Sequence, residues 1–448
     1  MSNDPDSPLS PEHSKAIRSN RDDAMSVLRR LRDAGHVAYF AGGCVRDLLL
    51  GRTPTDYDVA TDAPPARVRK LFSNTQAVGA AFGVILVRIR GSQIEVATFR
   101  AEAGYADGRH PSQVHFTTAQ HDAQRRDFTI NGLFLDPISD QVIDYVGGQA
   151  DLQAKTVRAI GDARERFEED HLRMLRAVRF AARLGFSIAP ETEAAIRDHA
   201  KHLTRISPER IAAELRIMLT PTSRAHAYRL LIDLGLLELI LRFLKAPSPA
   251  SIDFGNSLFC STAIDEPISF PLALALASID RQIWTDRSAD IRAALSHTAV
   301  HRLIHALRQS LRISNQESDA LAGILEGIDF LLQSAPPRVA TIKRFLARPT
   351  ADDSRLMLDS LISAGLLPPP GTEIPQLLKE FDGTDVAPVP WVNGDTLVAA
   401  GLAPGPLFKP VLDAVYDAQL EGSIDNSNEG IQLALKLAAD GEKAKNLP

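Results

Sequence analysis

The 448-residue chain has only two cysteines, Cys44 and Cys260, far apart in sequence. That excludes a cysteine-based zinc site by spacing and argues against a disulfide framework. Long apolar runs are also missing. The longest candidate, Leu230 to Leu244, is interrupted by Asp233, Glu238 and Arg242, so it reads as an amphipathic helix and not a membrane span. No internal repeat recurs at a fixed period. Nor is there an excess of positive charge. The formal net charge is −6, so any nucleic-acid contact must come from a local basic face. Residues Met1 to about Ser19 are polar, with three prolines and no apolar core. They read as disordered, not as a signal peptide or membrane anchor. The expectation is a cytoplasmic protein with no membrane partner; its oligomeric state is not legible.

What remains is ordinary globular material. A hydrophobic fraction of 44 % supplies a core, and the length suggests two or more domains. Asp22 to Asp33 has helical periodicity, and Val37 to Ala41 reads as a first strand. Val45, Leu48 and Leu49 form a short helix ending at Gly51, and Pro64-Pro65 opens another through Leu71. Val84–Ile89 and Gln93–Thr98 flank Gly91-Ser92 as a hairpin. Ala103 to Ser112 is polar and Gly-containing and reads as a mobile loop. A second hairpin is expected around Pro137 to Asp140. After about Thr156 strand signals fade. Glu168 to Leu184 reads as one helix stopped by Gly185, and Ser207-Pro208 starts the next. Leu367 to Val389 is Pro-rich and reads as a connector. Phe408 to Leu420 and Gly430 to Ala438 form a closing helix pair. The predicted class is α+β, a mixed-sheet head followed by helices. The expected divisions are 1–20 disordered, 21–160 head, 161–225 neck, 226–366 body and 367–448 tail.

The chemistry concentrates in the head. Asp56 and Asp58 stand two apart in Thr55-Asp56-Tyr57-Asp58-Val59, read as a strand, so both carboxylates share a face. Two such groups need a cation, and magnesium suits hard oxygen ligands. Gly42-Gly43 precede the short helix, where exposed backbone N–H groups can hold a phosphate. A phosphate cradle beside a carboxylate metal site equips a protein for metal-assisted phosphoryl transfer. Glu95, between apolar Ile94 and Val96, admits two readings. Alone it is more often an edge-strand charge in solvent; beside the two aspartates it is a third carboxylate for a metal or for a hydroxyl proton. Arg125 and Arg126 are a solvated pair or planar donors for a triphosphate, with Asp127 and Asn131 placed to bond a ribose. Asp170 and Arg173, three apart on the expected helix, form either a surface ion pair or an acceptor–donor pair matching a base edge. Arg176, Arg179 and Arg183, offset by Glu165, Glu168 and Glu169, read as a charge-laced face. His121-Asp122 reads as surface, and Cys44 as a small core residue.

With those residues in place, Val37 to about Leu219 resembles a class II nucleotidyltransferase of the tRNA CCA-adding and bacterial poly(A) polymerase family. The motifs are Gly42-Gly43-Cys44-Val45-Arg46-Asp47 with Asp56 and Asp58, then Ile94-Glu95-Val96-Ala97-Thr98, then Arg125 to Asn131. Glu169-Asp170-His171-Leu172-Arg173 matches the family's protein template for the incoming base, and Ser207-Pro208-Glu209-Arg210 with Glu214 its last, structural neck motif. The resemblance implies that Gly42, Gly43 and Arg46 hold the triphosphate and that Arg126, Asp127 and Asn131 contact phosphate and ribose. It implies that Asp56 and Asp58 bind Mg2+ with Glu95 as third carboxylate, and that Asp170 and Arg173 pair with the base. It also implies that Arg100 to Val114 is the flexible loop needed for the final A. Segments Asn393-Gly394-Asp395, Pro404-Gly405-Pro406 and Gln419-Leu420-Glu421-Gly422 resemble the tail of bacterial CCA-adding enzymes. The implied activity is template-independent addition of C and A to the tRNA 3′ end from CTP and ATP, with a tRNA-binding tail. An A-adding or poly(A)-adding enzyme is the alternative within the class. A non-catalytic RNA-binding protein on the same fold is the alternative outside it.

Overall fold

The computed structural model describes residues 11–77, 83–105, 111–245, 247–248, 251–260, 263–286, 290–333, 336–367, 371–402 and 404–445. The chain divides into two compact units, Met1–Arg242 and Phe243–Pro448.

The first unit begins with α1 (Pro11–Asp33), so the expectation of disorder through residue 20 fails from Pro11 onward, while residues 1–10 lie outside the description. Ala24, Val27, Leu28 and Leu31 recur at helical spacing and are fully buried. They back onto a seven-stranded mixed sheet of β1 (Ala38–Ala41), β2 (Val59–Thr61), β3 (Thr75–Ala77), β4 (Val84–Ile89), β5 (Ser92–Thr98), β8 (Phe134–Asp136) and β9 (Gln141–Ile143). The strand order is β3-β4-β5-β2-β1-β8-β9. Only β2 and β5 run parallel, in register Val59↔Val96; β4 and β5 form the expected hairpin. Of residues 103–112, expected to be a loop, 103–105 and 111–112 lie in paired strands. There β6 (Arg100–Tyr105) pairs with β7 (Pro111–Phe116) through Ala103↔Gln113 and Tyr105↔Pro111, with residues 106–110 outside the description.

The connecting helices of the head are α2 (Gly43–Leu49), α3 (Pro65–Leu71), α4 (Ala119–Gln124) and α5 (Gly148–Gln153). Ala119 and Ala123 of α4 pack with Ala41, Ala60, Phe99 and Phe134.

The expected single helix from Glu168 to Leu184 is two: α6 (Ala163–Glu169) and α7 (Arg173–Leu184). Asp170 leaves helical geometry (φ −147°, ψ 103°), and its carboxylate accepts from the Leu172 amide at 3.1 Å. A short Asp side chain that bonds the backbone two residues on competes with helix continuation and restarts it. Gly185 ends α7 in the left-handed region (φ 69°) as expected. A two-stranded parallel pair, β10 (Thr156–Val157) and β11 (Ser187–Ile188), ties the chain before α6 to the chain after α7. Then follow α8 (Pro190–His199), α9 (Pro208–Leu219), α10 (Arg224–Asp233) and α11 (Leu236–Ile240). The run from Leu230 to Leu244 is thus not one helix: Gly235 (φ 70°) breaks it.

The second unit is helical. Its helices are α12 (Phe270–Thr285), α13 (Ile291–Leu295), α14 (His297–Leu311), α15 (Asn315–Leu332), α16 (Val339–Leu346), α17 (Ala351–Ser363), α18 (Ile374–Lys379), α19 (Gly394–Ala399), α20 (Phe408–Leu420) and α21 (Ser427–Lys445). The expected connector from Leu367 to Val389 contains α18, with Ile374 and Leu378 buried. The closing pair is present and longer than expected: α20 and α21 share a core of Val411, Val415, Ala434 and Ala438. Helix α12 is buried along nearly its whole length, including Asp280. That carboxylate accepts from Ser257 Oγ and from the Leu258 and Phe259 amides, and burial pushes it up to about 7. No helix among the described residues is long and apolar enough to cross a membrane.

Candidate active site

A cavity of about 510 Å³ opens in the first unit. Seven arginines line it, Arg46, Arg100, Arg125, Arg126, Arg173, Arg176 and Arg210, against three aspartates, Asp58, Asp127 and Asp170. On a chain of net charge −6 this is the local basic face that the sequence requires for a polyanion.

The glycines set one wall. Gly42 (φ 73°) takes a backbone conformation open to glycine, and a Cβ there would lie 2.8 Å from Arg126 Nη1. Arg46, on α2, is buried. Its Nη1 donates to Asn131 Oδ1 at 2.7 Å and its Nε to Asp47 at 2.8 Å. Asn131 Nδ2 in turn donates to Asp127 Oδ1 at 3.0 Å. Asp127 Oδ1 also accepts from the Phe128 amide, and its Oδ2 accepts from Arg176 Nε at 2.9 Å and from Arg176 Nη2. Burial pushes Asp127 up, but Arg176 and these hydrogen bonds outweigh it and hold the carboxyl below the usual range. Asp127 and Asn131 are therefore committed to a network across the cavity floor, and any ligand group that bonds either must share these bonds. The Phe180 ring lies under the guanidiniums of Arg46, Arg176 and Arg179 at 4.7–5.6 Å.

Two sequence expectations are corrected here. Asp122 is not at the surface: it is 1 % exposed and receives both Arg125 (Nε, 2.8 Å) and Arg126 (Nη2, 3.0 Å). Burial raises its carboxyl, the two guanidiniums more than reverse that, and the net position is below the usual range. Asp122 thus aims both arginines at the cavity. Arg176 and Arg179 do not form a solvated face either; Arg176 reaches Asp127, and Arg179 pairs with Glu214 at 3.1 Å.

The carboxylates gather at one edge of the cavity. Asp56 and Asp58 precede β2 instead of lying within it, although the Asp58 carbonyl still accepts from the Ala41 amide. The β2–β5 register sets Asp58 beside Glu95, whose neighbours Ile94 and Val96 are fully buried on the opposite face. Burial first, then the Glu95 charge, push Asp58 up to about 6; Arg126 pulls it down and Asp56 adds to the rise. Asp58 lines the cavity, and its electrostatic partners Asp56 and Glu95 lie close by.

Asp170 and Arg173 both line the cavity, but not as an ion pair on one helix. Both Asp170 oxygens lie 3.1 Å from Arg210 Nη2, and Arg173 Nη1 donates to Glu169 and to the Arg166 carbonyl. Arg210, expected to be structural, is therefore part of the cavity wall.

Residues 38–158 match the family model of the poly A polymerase head domain, and residues 185–246 that of a probable RNA and SrmB-binding site of polymerase A. The CCA-adding enzyme of Geobacillus stearothermophilus is 32 % identical over 413 residues, 91 % of this chain and 95 % of that protein. The chain belongs to the CCA-adding enzyme family. The Bacillus subtilis CCA-adding enzyme is 44 % identical over 216 residues, 48 % of this chain and 54 % of that one. The crystal structure of the Bacillus stearothermophilus CCA-adding enzyme in complex with CTP superimposes with a TM-score of 0.69 at 27 % identity. It covers 98 % of this chain and 100 % of that one. These are nucleotidyltransferases, and the family normally uses a divalent metal.

Asp122, Arg176 and Arg210 escaped the sequence reading as site residues, and a signal for the first was present. Asp122 stands three and four residues before Arg125 and Arg126, helix-neighbour spacing for ion pairs. Arg210 had no local signal, since its partner Asp170 is 40 residues away.

Proposed function

We propose that this protein adds C and A nucleotides to the 3′ end of tRNA from CTP and ATP, releasing pyrophosphate. The observation that carries the reading is the meeting, in one cavity, of an arginine-rich wall and a carboxylate cluster that includes Asp58. Membership of the CCA-adding family selects tRNA as acceptor over a poly(A) product. Such a reaction belongs in the cytoplasm, where tRNA is matured.

In the reaction the terminal 3′-hydroxyl oxygen forms a bond to the α-phosphorus. The bond from that phosphorus to the β-bridging oxygen breaks, and its electrons leave with pyrophosphate. The arginine wall, Arg46 and Arg126 foremost, neutralises the triphosphate and the leaving pyrophosphate. Gly42 lets the backbone approach. Glu95, beside Asp58, takes the hydroxyl proton. The donor set fits Mg2+: three hard oxygen donors, with one of them, Asp58, driven up to about 6 by burial and by its neighbours' negative charge. Asp56 and Asp58 would hold the Mg2+, which would supply Lewis acidity at the attacked phosphate. Asp170 and Arg173 meet the base, and the second unit's tail contacts the tRNA body.

The test uses tRNA lacking its last three nucleotides, supplied with single labelled nucleotides and then with mixtures. Two C additions followed by one A are expected, with no reaction from UTP or GTP. A long A tract from ATP alone would replace this reading with poly(A) synthesis.

The Asp58 carboxyl adds a pH prediction. Unfolded, it loses its proton near 3.8; folded, near 6. Between these values the folded state holds more proton, so raising pH through this window destabilises the fold, with the full cost above about 6. A divalent cation offsets that cost. Mg2+ should therefore raise the melting temperature at pH 7.5, with the gain fading as pH falls through about 6. Asp58→Asn should melt higher than wild type without Mg2+ and gain less from it. An equal Mg2+ effect in both proteins would rule out Asp58 as a ligand.

A further inference from the structure

In the second unit, His297 and His301 stand four residues apart on α14 and so share one helix face. Their rings lie 4.2 Å apart, centroid to centroid. Glu326, on α15, points one carboxylate oxygen, Oε1, at both. It lies 3.8 Å from His297 Nε2 and 3.6 Å from His301 Nε2, and the three ligand atoms fall within 4.8 Å of one another. We propose that His297, His301 and Glu326 form a zinc-binding site that clips α14 to α15.

The geometry supports one small ion. Zinc bonds to imidazole nitrogen and carboxylate oxygen are about 2.0–2.2 Å long, which in a tetrahedron puts ligand atoms roughly 3.4 Å apart. The present spacings need only a small inward movement of two exposed imidazoles and the half-buried Glu326 carboxylate. The backbone is already held. Val300, Leu303, Ile304 and Leu307 of α14 are buried, as are Ile324, Leu325 and Ile328 of α15, so the helices that carry the ligands are fixed by their own core. Two imidazoles and one carboxylate are the donors of a borderline divalent ion; magnesium and calcium prefer oxygen alone. Three protein ligands leave a fourth position for water, as in open zinc sites. Nothing in the nucleotidyl transfer proposed above requires this site.

The full-length protein, stripped with EDTA and dialysed, is titrated with Zn2+ against a chromophoric zinc chelator. Excess Mg2+ is present throughout to fill oxygen-only sites. Wild type should take up one equivalent more than His297→Ala or His301→Ala. Loss of a supporting hydrogen-bond partner alone weakens metal sites about 10- to 100-fold, so loss of a ligand should exceed that. Glu326→Gln should bind more weakly than wild type. With Co2+ in place of Zn2+, wild type should show the visible absorption of a four-coordinate ion and the histidine variants should not. Zn2+ should raise the melting temperature of wild type more than that of the double histidine variant. Should the alanine variants melt early when metal-free, His301→Gln, which keeps the bulk, provides the same comparison. Equal stoichiometry and identical Co2+ spectra in wild type and variants would overturn the proposal, leaving two histidines that share an ion pair with Glu326.

Discussion

Asp56→Ala and Asp58→Ala are each expected to abolish nucleotide addition while leaving the protein folded. Metal assistance to phosphoryl transfer is worth several kcal/mol, and each ~1.4 kcal/mol is tenfold, so the loss should be at least about 10³-fold in kcat. Folding should survive for a reason visible in the structure. Asp56 is exposed, and Asp58 sits where burial and Glu95 both disfavour its charge. Removing that carboxylate relieves repulsion, and Arg126 keeps Asp122 as partner. Asp58→Ala should therefore melt no lower than wild type in the absence of divalent metal. Turnover is measured on tRNA lacking its terminal A, with labelled ATP, alongside thermal melts. Near-normal turnover in either variant would remove that aspartate from the metal site; lost turnover with a collapsed melt would make its role structural.

How far these features could be read from residues alone depends on how local their causes are. The β4–β5 hairpin and α2 were legible because β-branched runs, Gly91 and Gly51 act over a few residues. Gly185 announced the end of α7 for the same reason. The break at Asp170 was hidden because the apolar stripe Leu172, Leu175, Val178 and Ala182 starts only after it, and no glycine or proline between Glu168 and Arg173 marks an interruption. The decisive contact is one side-chain bond to the Leu172 amide. Ala103 to Ser112 carries loop-like composition, yet at 103–105 and 111–112 strand pairing overrides local preference, since what is measured as β-propensity depends on context. The orientation of Arg176 and Arg179 was illegible because their partners, Asp127 and Glu214, are 49 and 35 residues away. Asp56, Asp58 and Glu95 could be picked out as chemistry. Their mutual approach depends on the parallel β2–β5 register, which no local pattern specifies.

Arg173→Ala and Arg210→Ala should both relax nucleotide selection, through different atoms. Cytosine and adenine each present an exocyclic amino donor beside a ring-nitrogen acceptor. Uracil and guanine reverse both, with a carbonyl oxygen beside a protonated ring nitrogen. A carboxylate next to a guanidinium matches the first pair and opposes the second. Both groups are held by protein partners. Arg210 Nη2 lies 3.1 Å from each Asp170 oxygen, and Arg173 is anchored by Glu169 and the Arg166 carbonyl. Preorganisation matters because the wrong base then leaves buried polar groups unpaired, at roughly 1–3 kcal/mol each, or about fivefold to a hundredfold in discrimination. If Asp170 and Arg173 pair with the base as proposed, Arg173→Ala deletes the donor half of the pair and should cut the CTP-over-UTP ratio of kcat/KM by about that factor. Arg210→Ala leaves Asp170 and Arg173 present but leaves the Asp170 carboxylate held by the Leu172 amide without its guanidinium partner. It should lower the same ratio less, with Arg210→Lys recovering part of it because a single ammonium can still pair with the carboxylate. The ratio is read on tRNA lacking its last two nucleotides, with thermal melts run on the same samples. If Arg173→Ala melted early yet kept its preference for CTP, Arg173 would be a partner of Glu169 within the neck and base selection would have to lie elsewhere on the cavity wall.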